Sequence, residues 1–89
     1  MAKILVIDGS QSVLLAAKEH LEACAMNVST AQSGESALAA VERDKPDIVV
    51  LDAQLSDMSG LQACEALREQ GHAFPVLITS DNGKKNPWV

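Results

Sequence analysis

Three polar residues stand where apolar runs give out: Asp8 after Ile4-Leu5-Val6-Ile7, Asp52 after Ile48-Val49-Val50-Leu51, and Thr79 after Val76-Leu77-Ile78. Uninterrupted apolar runs of this length read as strands buried on both faces of a parallel sheet. In open α/β sheets the ligand crevice lies outside the carboxyl ends of the strands, so the three side chains are expected at one rim. Two carboxylates converging there suit a hard divalent cation such as Mg2+, with carbonyls and waters completing the oxygen shell. A cation would offset the repulsion between Asp52 and an incoming phosphoryl oxygen, and phosphoryl transfer needs little beyond positioning and charge neutralisation. The Thr79 hydroxyl could then bond the transferred group. A plainer reading stands beside this one: strand-end aspartates commonly do no more than bond loop amides or cap a helix.

The elements that must position these residues alternate along the chain. Lys3 to Asp8 reads as the first strand, and Gly9-Ser10 as a tight turn, with Ser10 or Ser12 able to cap a helix. From Gln11 to about Ala25 the apolar positions Val13, Leu14, Ala17, Leu21, Cys24 and Ala25 recur at helical spacing. Asn27 to Ala31 is half polar and β-branched, which suits an edge strand. Ser33-Gly34-Glu35-Ser36 opens a second helix with Ala37, Leu38, Ala40 and Val41 on its apolar face and Pro46 as the stop. Gly60 to Gln70 reads as a third helix burying Leu61, Cys64 and Leu67, and Phe74 to Ile78 as a fourth strand. The β-α-β-α-β-α-β order implies a doubly wound parallel sheet.

Eighty-nine residues make one domain, with 47% apolar residues drawn almost wholly from aliphatics; the aromatics are Phe74 and Trp88. A net charge of −5 argues against a surface that binds a nucleic-acid backbone. The first apolar run is too short for a signal peptide or a membrane span, so the chain is expected to be cytoplasmic. Cys24 and Cys64 have no metal-like spacing and read as small buried hydrophobes, and His20 and His72 read as surface residues.

Taken together, KILVIDGS at 3–10, GESAL at 34–38, KPDIVVLD at 45–52, DMSGL at 57–61 and FPVLITS at 74–80 resemble the receiver domain of two-component response regulators, of the chemotaxis-regulator type. That resemblance implies a flavodoxin-like sheet of order 2-1-3-4. It implies that Asp52 is the phospho-acceptor, taking a phosphoryl group from a histidine kinase, a phosphotransfer protein or a small acyl phosphate. It implies that Asp8, Asp52 and the backbone carbonyl of Gln54 hold Mg2+, and that Thr79 is the switch hydroxyl.

The chain also departs from the family. Gly9 stands where a second acidic residue is usual, so Mg2+ binding is expected to be weakened; Asp57 is a poor substitute, since such loop residues lie away from the metal. Ser56 replaces a usual proline. The resemblance implies a fold truncated after the fourth strand, with a receiver unit over 1–80 and a tail over 81–89, and leaves Lys84 and Lys85 without a clear role. A truncated sheet would leave the fourth strand at an edge without protective charges, and would favour a homodimer through that edge and the exposed helix faces, with Trp88 as an anchor. Two readings follow: a phosphorylatable receiver that signals through protein contact, and a degenerate receiver that only docks or dimerises. An anion site at the DGSQS turn is a third, disfavoured because the chain lacks a glycine-rich phosphate loop.

Overall fold

The computed structural model describes residues 2–79. They form β1 (Lys3–Ile7), α1 (Gln11–Ala23), β2 (Asn27–Ala31), α2 (Gly34–Asp44), β3 (Ile48–Asp52), α3 (Gly60–Glu69) and β4 (Val76–Thr79). All strand pairs are parallel, in the order β2-β1-β3-β4. This is the flavodoxin-like order over its first four strands. The residues of the expected tail, with Lys84, Lys85 and Trp88, lie outside the described set.

Strand periodicity divides β1 between two cores. Leu5 and Ile7 join Val49, Leu51, Ala37, Ala40, Val41, Ala63 and Leu67 on the α2/α3 face. Ile4 and Val6 join Val28, Val50, Leu14 and Ala17 on the α1 face. Small residues dominate the inward sides of the helices, which lets them lie close to the sheet.

Helix starts follow from local chemistry. Ser10 caps α1 through its hydroxyl and the Val13 amide. Ser33 and Ser59 form reciprocal capping boxes with Ser36 and Gln62 at α2 and α3. At its other end α2 stops on Lys45 in the left-handed conformation, φ 49°, ahead of Pro46.

Several expectations need correction. Helix α1 ends at Ala23, and Ala25 turns the chain with φ 63°, so Cys24 is exposed rather than buried. Leu61 is 62% exposed, because the inward stripe of α3 runs through Gly60, Ala63 and Leu67 and leaves Leu61 about a third of a turn away. Cys64 is half-buried against the α2/α3 core. His72 is not a free surface residue: its ring stacks on Phe74 at 5.4 Å and its Nε2 lies 3.3 Å from Glu42 of α2. Arg68 donates to the carbonyls of His72 and Phe74, so this connection is tied to both α2 and α3. Hydrogen bonds from Lys45 and then His72 hold the Glu42 carboxyl below its ordinary pKa. The fourth strand begins at Val76, since Phe74 and Pro75 precede it, although the Pro75 carbonyl accepts from the Val49 amide.

Candidate functional site

The carboxyl ends of β1, β3 and β4 are neighbours in the sheet, and this brings the predicted residues to one rim. Asp52 is the last residue of β3 and pairs in register with Thr79 of β4. Asp8 follows Ile7, which pairs with Leu51, so Asp8 leaves β1 beside Asp52. Both carboxylates are half-buried. Each accepts from the amide two residues on: Asp8 Oδ1 from Ser10 at 2.8 Å and Asp52 Oδ1 from Gln54 at 3.2 Å. These bonds are the plain loop-turning role of a strand-end aspartate, and they also fix which way each carboxylate faces. The Thr79 hydroxyl reaches the Leu51 carbonyl at 3.5 Å, a long contact that leaves it easy to redirect.

Gly9 is exposed, and a β-carbon added there would meet nothing within 4 Å. Glycine is therefore not required by packing at this position; its consequence is chemical, because it brings no carboxylate. No group of three or more His, Cys, Asp or Glu side chains gathers among the described residues. Asp8, Asp52 and a backbone carbonyl remain a suitable oxygen set for Mg2+, which often takes only one or two protein carboxylates and keeps several waters.

The loop after Asp52 is tightly folded. Gln54 bridges to Ser59 across it, the Leu55 amide donates to the Met58 carbonyl at 3.0 Å, and the Gly60 amide donates to the Ala53 carbonyl at 2.7 Å. Gly60 presses on the Asp52 carbonyl so closely that a β-carbon there would collide with main chain. The Ala53 amide donates to the Thr79 carbonyl, joining the loop to β4.

Asp57 is the residue that sequence reasoning did not place. Its Oδ1 accepts from the Gly34 amide at 2.9 Å and its Oδ2 from the Glu35 amide at 3.0 Å. Both bonds run to the first turn of α2. Its role in α2 was hidden because the partners lie 23 and 22 positions away. The two amide bonds hold its carboxyl below the ordinary carboxylate value.

A flavodoxin-like sheet with two aspartates at adjacent carboxyl ends and a threonine across from one of them defines an acidic-rim α/β domain. Residues 4–88 match the family model of the response regulator receiver domain, and the chain belongs to that family. It is 41% identical over 76 residues to the alkaline phosphatase synthesis transcriptional regulatory protein PhoP of Bacillus subtilis, covering 85% of this chain and 32% of that protein. It is 35% identical over 78 residues to the heme response regulator HssR of Staphylococcus haemolyticus, covering 88% of this chain and 34% of that protein. The chain thus spans about a third of the length of these relatives. Among solved structures, the N-terminal domain of a response regulator receiver protein from Methanoculleus marisnigri superimposes with a TM-score of 0.85 at 31% identity, covering 88% of this chain and 65% of that one. The chemotaxis protein CheY4 of Vibrio cholerae gives a TM-score of 0.84 at 30% identity, covering 94% and 75%. No helix among the described residues is long and apolar enough to cross a membrane.

Proposed function

We propose that this receiver domain accepts a phosphoryl group on Asp52 from a histidine kinase or phosphotransfer protein and signals by protein contact in the cytoplasm. The observation that carries this reading is the register pair Asp52–Thr79 beside Asp8 at the carboxyl rim. A carboxylate oxygen of Asp52 attacks the phosphorus of a phosphohistidine. The P–N bond breaks as the O–P bond forms, and the ring, already protonated on its other nitrogen, leaves as neutral imidazole. The hydrogen bond from the Gln54 amide orients the nucleophile. Asp8, Asp52 and the Gln54 carbonyl would hold Mg2+, which supplies charge neutralisation at the transferring group when bound. The Thr79 hydroxyl, weakly held by the Leu51 carbonyl, turns to the phosphoryl oxygen and makes β4 the reporter of the modified state.

The partner read by the modified surface is a protein, in keeping with a net charge of −5. A second copy is one such partner: β4 has no outer neighbour among the described strands and exposes Leu77 and Ile78. Light scattering at micromolar concentration tests this, and a monomer there rules the homodimer out.

Gly9 favours a second reading, a docking or dimerisation module that no longer takes up phosphate. Incubation with acetyl phosphate and Mg2+, followed by intact mass, separates the two. A base-labile phosphoryl adduct present in the wild type and absent in Asp52→Asn supports the acceptor; no adduct supports the docking module.

A further inference from the structure

The contact between the acceptor loop and α2 has no part in the chemistry above, yet two hydrogen bonds and a close packing contact hold it. Asp57 supplies acceptors for two of the three first amides of α2, while Ser33 takes the third, that of Ser36. A negative charge at a helix start is favourable on its own account. Met58 packs on Gly34 so closely that a β-carbon at Gly34 would overlap its side chain. Two consecutive loop residues are therefore seated on one helix end, one by bonds and one by shape. From Met58 the fastening passes back through Leu55 to Gln54, whose amide holds Asp52 Oδ1. At the far end of the loop, Gly60 is locked to Ala53.

We propose that Asp57 is a positioning residue for the acidic rim: by clamping the loop of residues 53–59 to the first turn of α2, it holds the Gln54 backbone against Asp52. The inference rests on the reading of Asp8, Asp52 and Gln54 as the Mg2+-holding set. It assigns α2 a share in cation binding although α2 contributes no ligand. Outer residues that orient ligands commonly change metal affinity by about 10- to 100-fold when removed. Asp57 acts through three residues of backbone, so the lower end, about tenfold, is expected.

The test is a Mg2+ titration without phosphodonor, followed by the amide shift of Gln54 in 15N-labelled protein. The wild type, Asp57→Asn, Asp57→Ala and Glu35→Gln are compared below their melting temperatures. Asp57→Ala, which loses both acceptors, raises the midpoint about tenfold, and Asp57→Asn, which keeps one, raises it less. Glu35→Gln, altering a side chain but not the clamped amide, leaves it unchanged. A purely structural role for Asp57 would lower the melting temperature and leave the midpoint where it was, and that result overturns the proposal. Should Asp57→Ala fail to fold, Asp57→Asn carries the decision alone. A wild type whose Gln54 amide ignores Mg2+ defeats the metal reading itself; a responding wild type with unshifted variants defeats only the clamp.

Discussion

Strands β3 and β4 are written in the same letters and live in different surroundings. Both are short aliphatic runs ending in an oxygen-bearing side chain, and they pair residue for residue from Val49–Val76 to Asp52–Thr79. Yet Val49 and Leu51 are wholly buried, while Leu77 and Ile78 are 56% and 44% exposed. The difference is one of neighbours. β3 lies between β1 and β4, with α2 and α3 residues packed on one face and α1 residues on the other; β4 has β3 alone as a described strand neighbour, with α3 beside it. Strand composition states how much apolar surface a segment offers, and the topology decides how much of it is covered.

At the rim the two strands carry different chemistry, a carboxylate on β3 and a hydroxyl on β4. Asp52→Asn removes the nucleophile and is expected to abolish the acetyl phosphate adduct by intact mass. Thr79→Ala removes only a hydroxyl; it is expected to slow adduct accumulation without abolishing it and to blunt the change in β4 amide shifts on modification.

Packing comes next. Leu51→Ala empties a fully buried site and is expected to cost about 3 kcal/mol in urea unfolding, whereas Leu77→Ala in the neighbouring strand costs about 1 kcal/mol or less. Equal costs would show that β4 is covered in solution.

A smaller effect concerns charge at the turn after β1. Gly9→Asp enters open space, and a lowered Mg2+ midpoint with unchanged melting temperature is expected.

The smallest effect concerns acid. The Gly34 and Glu35 amides depress the pKa of Asp57 below its ordinary 3.8, so its folded-state value lies under its unfolded one. Its contribution to stability is complete above the unfolded value and is lost as pH falls from about 4 through the folded value. Thermal melts of Asp57→Asn and wild type should therefore draw together below pH 4, which fastens the acid response to the β3 side of the molecule.

Element types and their order along the chain were legible because three strands are unbroken aliphatic runs and each helix opens on a serine, whereas the sheet order 2-1-3-4 came from the family resemblance. The rim followed from topology, since parallel strands must end on the same side. What escaped reading was tertiary. The stripe through Gly60, Ala63 and Leu67 cannot be told from one through Leu61 until the sheet is in place. Ala25 in a left-handed turn carries no sequence warning, and the helical spacing of apolar residues runs on through Cys24. His72 gained its surroundings from Glu42, 30 positions earlier. Asp57 was visible only as a loop acid, and nothing local announces that its partners are the first amides of α2.

The strand order also sets a timetable for the growing chain. β1 lies inside the sheet although it precedes the other described strands in the chain, and its pairing with β3 is sealed by a bond from the Lys3 amide to Asp47, 44 positions on. Until that later segment has emerged, Leu5 and Ile7 lack Val49, Leu51, Ala63 and Leu67 of their core. Closing so long a loop before any contact rewards it slows the β1–β3 pairing, and leaves β1 exposed until β3 has been made.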